Sequence, residues 1–247
     1  MIDIINASPY FTRMSKYDLI VRRSETEEDY KTKYINSVIN FTCREKQKLC
    51  YLVGDANALL ERYKNISAIP WKFAKLSNGI ENNWPHTLGD VIMLHSSFFD
   101  NTKEEMIKTL IHEKIHVYQR LCTNYTNILI SLYMGYKYYN EMGVLENIMN
   151  NPDVDGKLYT IRGRLIFRGY DRPYPNNLLH TKLYECILDK SGRIVDILET
   201  SNRSLNYPDV ITQVDHPYEI MAQLISHNLA GFPLSTPNIN KWMILYL

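Results

Sequence analysis

His112-Glu113-Lys114-Ile115-His116 combines two imidazoles and a carboxylate in the pattern H-E-x-x-H. Residues four apart lie about 40° from each other around a helix, so both imidazoles fall on one face, one turn apart, and can share a metal ion. Glu113 stands beside them at about 100°. Imidazole nitrogens suit Zn²⁺ at about 2.0 to 2.1 Å, and a catalytic zinc site typically takes three protein ligands and leaves one position to water. The pattern therefore supplies two ligands and leaves a third to come from elsewhere in the chain. Glu113 is placed to accept a proton from water attacking a polarised carbonyl and to pass it to a leaving amine, which is the chemistry of peptide hydrolysis.

This chemistry requires a helix under the motif. Thr102 precedes Glu105 by three residues, the spacing of a capping box, and the same spacing recurs at Ser24 and Glu27 and at Thr42 and Glu45. Helices are predicted near residues 103–121, 25–40 and 43–63. Between the last of these and the motif helix lie Trp71 to Ser77, a turn-rich stretch with Asn78-Gly79 and Trp84-Pro85, and the short apolar run Val91 to Leu94. They read as two antiparallel neighbouring strands around turns. Asn124 to Met142 is apolar nearly all round and reads as a buried helix. Leu183 to Leu188 and Arg193 to Leu198 read as a hairpin around Lys190-Ser191-Gly192, either continuing the sheet or forming a small second one. A last helix is expected from His216-Pro217 to just before Gly231.

Thr109 to Val117, the order strand then helix across Asp90 to Arg120, and Glu219 within His216-Pro217-Tyr218-Glu219-Ile220-Met221-Ala222 resemble the zincin metallopeptidases, specifically the gluzincin branch. In that branch the third metal ligand is a Glu on a later helix, which the resemblance assigns to Glu219. The sequence departs from the family at Lys114, where an uncharged residue is usual, and in the long separation of Glu219 from His116. Lys114 points roughly 160° to 200° from the two His on a helix and need not disturb a metal. Val117 to Cys122 offers neither the Gly nor the His of the metzincin extension, so the third ligand must come from farther away. Glu219 is favoured because it lies in a first helical turn with small Ala222 following. His180, Glu185, Asp215 and His216 remain alternatives, and Glu199, like Glu185, lies in a strand-like segment. An acid in a first turn is also favoured by the helix dipole without any metal. The oxyanion donor opposite the metal is a Tyr or His in such families, which makes His86, Tyr207 and Tyr218 candidates. Gly89 to Leu94 resembles the edge strand bordering a zincin cleft, on which an extended peptide can pair. Asp90 is a candidate acceptor for the second ring proton of a ligand histidine.

Composition sets the outer bounds. In 247 residues, 28 Lys and Arg against 27 Asp and Glu leave a formal charge of +1, which excludes the broad basic field of nucleic-acid binders. With 45% hydrophobic and 22% charged residues the chain can bury an ordinary globular core. Ile128 to Met134, its longest strongly apolar tract, is about a third of the roughly 20 residues needed to cross a bilayer, so no membrane span is expected. Met1 to Tyr10 lacks the charged start and apolar stretch of a secretory signal. Cys43, Cys50, Cys122 and Cys186 are scattered without a paired two-residue spacing and read as reduced thiols of an intracellular, cytoplasmic protein.

Together these features predict an α+β, zincin-like fold in which residues 1–247 form one catalytic domain. Residues 1–122 would be an N-terminal lobe with a small twisted sheet and the zinc helix, and residues 123–247 a mainly helical C-terminal lobe carrying the third ligand, with the cleft between them. The expected function is that of a zinc metallopeptidase acting on a peptide or protein substrate, with His112, His116 and Glu219 on Zn²⁺ and Glu113, His86 and Tyr218 as catalytic groups. The alternatives are a noncatalytic zinc-binding protein of the same fold that holds a peptide or protein partner, and a zinc hydrolase of nonpeptide amides. The presence of Glu113 favours the enzyme, because a purely structural site has no need of a base.

Overall fold

A computed structural model describes residues 1–141, 145–171, 174–200, 215–231 and 237–247. Short helices α1 (Ile2–Ala7), α2 (Lys16–Val21) and α3 (Glu27–Asn36) lead into strand β1 (Val38–Ile39), helix α4 (Cys43–Leu60) and the single turn α5 (Lys64–Ser67). Strands β2 (Phe73–Leu76), β3 (His86–Leu88) and β4 (Val91–His95) precede the motif helix α6 (Lys103–Leu121) and α7 (Thr123–Ile128). Then follow β5 (Tyr136–Glu141), β6 (Lys157–Ile161), β7 (Arg164–Tyr170), β8 (Thr181–Leu188), β9 (Ile194–Glu199), α8 (Pro217–Leu229) and α9 (Pro237–Tyr246). The fold is α+β and zincin-like, with a small mixed sheet and the histidine-bearing helix α6 in the N-terminal part and α7 to α9 in the C-terminal part. Among the described residues no helix is long and apolar enough to cross a membrane.

The chain divides into two compact units. The first comprises Ser37–Leu129 and Met221–Leu247 together with Met1, and the second Ile2–Asn36 and Ile130–Ile220. The division therefore falls in the first turn of α8, whose body from Met221 belongs to the first unit with α6.

In the first unit the sheet runs in the order β1-β2-β4-β3. β2 and β4, expected to be antiparallel, are parallel, with Phe73 opposite Ile92 and Leu76 opposite His95. The reason is the tight turn at Gly89-Asp90, which folds β3 back on β4 and sends β4 in the direction of β2. The same hairpin makes β4 an inner strand, so the edge that Gly89 to Leu94 was expected to supply is β3. Both α4 and α6 start at the capping boxes read from Thr42 and Thr102, whose hydroxyls accept from the amides of Glu45 and Glu105. Leu49, Leu52, Ala56 and Leu60 of α4 and Leu110, Ile111 and Ile115 of α6 are buried, as is the whole of β4. The C-terminal α9, which the sequence reading did not expect, closes this unit. Its Trp242 is buried and donates through Nε1 to the Tyr125 carbonyl at 3.1 Å, while Tyr118 of α6 donates to the Tyr246 carbonyl.

In the second unit β5 to β9 form a five-stranded antiparallel meander in chain order. The hairpin read around Lys190 to Gly192 is its last turn, with Asp189 Oδ1 accepting from the amides of Ser191 and Arg193. Leu145, Ile148, Leu158, Leu165, Phe167 and Cys186 form its apolar core. The helix expected over residues 124–142 ends early. α7 stops at Ile128, a wide turn covers Leu129–Tyr133, and Gly135 at φ +78° redirects the chain into β5, where aromatic residues suit a strand. The cap expected at Ser24 is displaced to Thr26, whose hydroxyl accepts from the Asp29 amide at 3.1 Å. Ser24 instead belongs to the turn closing α2, after Arg23 at φ +54°.

Candidate metal centre

Helix α6 places His112 and His116 one turn apart, as the motif spacing requires. Their rings meet at 76° with centroids 4.8 Å apart, and the two Nε2 atoms approach to 3.1 Å. Two nitrogens bound tetrahedrally at the zinc distance would stand about 3.3 Å apart. His116 is fully buried and its Nδ1 lies 2.8 Å from Gln119 Oε1, an acceptor that places the ring proton on Nδ1 and the lone pair on Nε2. Gln119 is itself buried. It does what was expected of Asp90, whose carboxylate is instead ion-paired with Lys72. The spacing H-E-x-x-H-x-x-Q, with Gln three residues beyond the second His on the same helix, is the signal that would have found it.

Glu113 is buried beside the histidines, 4% exposed. Lys114 turns the other way, as expected, and is nearly fully buried. Its Nζ donates to the Ile69 carbonyl at 2.6 Å and lies 4.0 Å over the Trp71 ring, while burial lowers its pKa to about 8. The departure from the family pattern thus serves packing under the helix.

The expected third ligand, Glu219, stands at the start of α8. One ligand atom each from His112, His116 and Glu219 lie within 4.8 Å of one another. Pro217 begins the helix, as expected at a first helical position, and Ala222 is buried in its body. Two turns past Glu219, His227 is held below the ordinary imidazole value by burial first, then by Lys108 and His112 of α6. Glu219 is 1% exposed and its Oε1 accepts from Asn151 Nδ2 at 2.6 Å. No reading of the sequence pointed to Asn151.

The alternatives for the third ligand are engaged elsewhere. His216 meets the Lys157 carbonyl through Nε2 at 3.1 Å and accepts the Tyr218 amide on Nδ1, so both ring nitrogens are committed. Glu185 pairs with Arg164 at 2.8 Å, and Glu199 with Lys182 at 2.9 Å. Asp215 lies 3.4 Å from Arg168, and its carboxyl is raised above the usual range by burial, opposed by Arg168 and reinforced by Glu219. His180 lies 3.4 Å from the Asn177 amide. Among the described residues the His-His-Glu set is the single group of three or more such side chains that could hold a metal ion.

Of the expected oxyanion donors, Tyr218 is buried, and its hydroxyl accepts from Lys157 Nζ at 3.1 Å and from the Tyr159 hydroxyl at 3.4 Å. His86 is buried in β3, its Nδ1 2.9 Å from the Trp84 carbonyl and its ring 6.5 Å from that of His95. Burial, then the neighbouring His86, lowers the pKa of His95 to about 4. Tyr207 lies outside the described residues. On the edge strand, Arg120 of α6 donates to the carbonyls of Thr87 and Gly89.

Two neutral imidazoles and a carboxylate are the donor set of known catalytic zinc peptidases, so these residues fit the ion that the motif implies. The His112-Glu113-x-x-His116 run with a distal Glu219 matches the gluzincin arrangement, with the general-base Glu next to the His pair, and supports enzymatic activity. Comparison with known proteins found no matching family model, no matching curated protein and no matching solved structure.

Proposed function

We propose that this protein is a zinc-dependent peptidase in which His112, His116 and Glu219 hold the metal and Glu113 is the general base. The observation that carries this reading is the convergence of the three ligand atoms to within 4.8 Å from two helices far apart in sequence. Bound there, Zn²⁺ would lower the pKa of water toward about 7 and polarise a substrate carbonyl. Glu113 takes the proton of the attacking water onto its carboxylate and returns it to the leaving amine, so the base is regenerated at each turnover. Gln119 keeps the proton of His116 on Nδ1 and so presents Nε2 as the donor. A structural zinc site closes with four protein ligands, whereas three ligands with a carboxylate base alongside suit catalysis.

Tyr218 is our first choice for the oxyanion donor. It adjoins Glu219, and its hydroxyl, which accepts from Lys157 Nζ and from the Tyr159 hydroxyl, is a neutral group of the kind that can donate to an oxyanion. His86, on the edge strand, is the second. The substrate class is a peptide or protein. The ligand set draws on both 1–122 and 123–247, which supports reading residues 1–247 as one catalytic domain. The four cysteines are free thiols, which supports an intracellular, cytoplasmic location. Incubation with a mixed peptide library should give cleavage that a chelator abolishes and added Zn²⁺ restores. Stoichiometric zinc without cleavage of any peptide would instead favour a noncatalytic binder or a hydrolase of nonpeptide amides.

A further inference from the structure

A carboxylate in a first helical turn has a reason to be there without any metal, because the helix dipole favours it. What a metal ligand needs in addition is a fixed orientation, and at Glu219 this comes from residues remote in sequence. Asn151 Nδ2 donates to Glu219 Oε1 at 2.6 Å, and Asn151 Oδ1 accepts from the Asp153 amide at 2.9 Å. The second bond fixes which end of the amide faces Glu219: the donor end.

The residue before it is held from three sides. Asn150 donates through its backbone N–H to Asp18 Oδ1 at 3.1 Å and through Nδ2 to the Tyr10 carbonyl at 2.8 Å, and its carbonyl accepts from Arg22 Nη2 at 3.2 Å. Asp18 and Arg22 form an ion pair at 2.9 Å with side chains 0% and 3% exposed. Tyr170 donates to Asp18 Oδ1 at 2.8 Å, and Arg22 Nε donates to the Tyr10 hydroxyl at 3.0 Å. Desolvation largely offsets the attraction in a buried ion pair, so stability alone is a weak reason for one. Here both charged partners also bond to the main chain of Asn150, and the consequence is a rigid seat for Asn151.

We infer that Asn151, seated through Asn150 by the buried Asp18–Arg22 pair, is a positioning residue that orients the Glu219 carboxylate for the metal. The inference rests on the metal reading above, and it assigns to a residue that is not a ligand a direct part in metal affinity. Outer partners of metal ligands typically contribute about 10- to 100-fold in affinity.

The test is a double-mutant cycle on the full chain, with Zn²⁺ affinity measured by titration and by competition with a chromophoric chelator. Thermal melting of the metal-free protein is followed in parallel. Asn151→Ala should weaken Zn²⁺ binding by about 10- to 100-fold while the metal-free protein melts near wild type. In a Glu219→Ala background the same change should alter affinity by no more than about twofold, since its route to the metal has been removed. Asn151→Asp, nearly isosteric but without the donor, should weaken binding at least as much and covers the case in which Asn151→Ala fails to fold. Equal losses in both backgrounds, or wild-type affinity in both Asn151 variants while His112→Ala abolishes binding, would overturn the inference and leave the metal reading standing. Zn²⁺ binding that survives His112→Ala would overturn the metal reading itself, and this inference with it.

Discussion

The two sides of the metal centre are fixed by different means. On α6, His112, Glu113, His116 and Gln119 occupy eight consecutive residues of one capped helix, so helical periodicity alone brings the two proposed ligands, the proposed base and an orienting acceptor onto neighbouring positions. At Glu219 the proposed ligand is one carboxylate at the start of α8, and its hydrogen-bond donor, Asn151, comes from a loop that is itself anchored to α2 through Asn150. A helix carries its geometry wherever it goes, whereas a loop-held ligand is only as well placed as the network beneath it. Damage on the α6 side should therefore act through the residue changed, and damage on the Glu219 side should travel from residues that never approach the metal.

The sharpest way to break this contrast is at the histidines. His112→Ala or His116→Ala should abolish retention of the roughly one Zn²⁺ expected per chain, because either change leaves a single imidazole in the pair. Metal analysis after gel filtration reads this directly, and stoichiometric zinc in both variants would remove the site. Glu219→Ala should weaken Zn²⁺ binding by about a hundredfold or more yet leave the histidine pair intact, while Glu199→Ala, on a carboxylate paired with Lys182, should leave it unchanged. Chelator competition giving the reverse order would mean that the third ligand lies elsewhere.

What could be read from the sequence follows the same division. The capping boxes at Thr42 and Thr102, the motif helix and the start of α8 at Pro217 depend on residues a few positions apart, and each lies where its signals place it. The parallel pairing of β2 with β4 depends on the intervening β3 hairpin, which nothing within either strand encodes. The run 124–142 contains apolar residues at both helical and strand spacing, and Gly135 decides between them only once the second sheet offers β5 a partner in β6. Helical spacing turns Lys114 away from the two His but does not encode its burial, for which the Ile69 carbonyl and the Trp71 ring supply partners from another segment. Asn151 stood among Pro, Asn, Asp and Gly in a stretch whose composition signals a loop and nothing more.

Smaller effects sharpen the comparison within the first unit. Gln119→Ala should reduce Zn²⁺ affinity by about 10- to 100-fold without moving the melting temperature of the metal-free protein much, because it frees the His116 ring to turn and to change tautomer. An unchanged affinity would mean that helix geometry alone orients the ligand. His95, beneath the motif helix in β4, tests the sheet rather than the site. Folded, it resists protonation until about pH 4, whereas its unfolded value is 6.5. As pH falls from 6.5 to 4 the unfolded state takes up a proton that the folded state refuses, so stability is lost through that window. His95→Asn, which can still donate to the Ser77 carbonyl now 3.1 Å from Nδ1, should show a shallower loss in melting temperature over the same range. Parallel curves for the two proteins would show that this histidine does not set the acid sensitivity.

Glu113, as the base of the proposed metal centre, can be separated from the ligands by a single substitution. Wild type and Glu113→Gln are compared side by side near neutral pH for zinc content, thermal melting and cleavage of a mixed peptide library. Gln keeps the size and hydrogen bonding of Glu but cannot take the proton, so zinc content and melting should match wild type while turnover falls by about 10² or more. Wild-type cleavage that persists unchanged in Glu113→Gln, with the same zinc bound, would contradict the account.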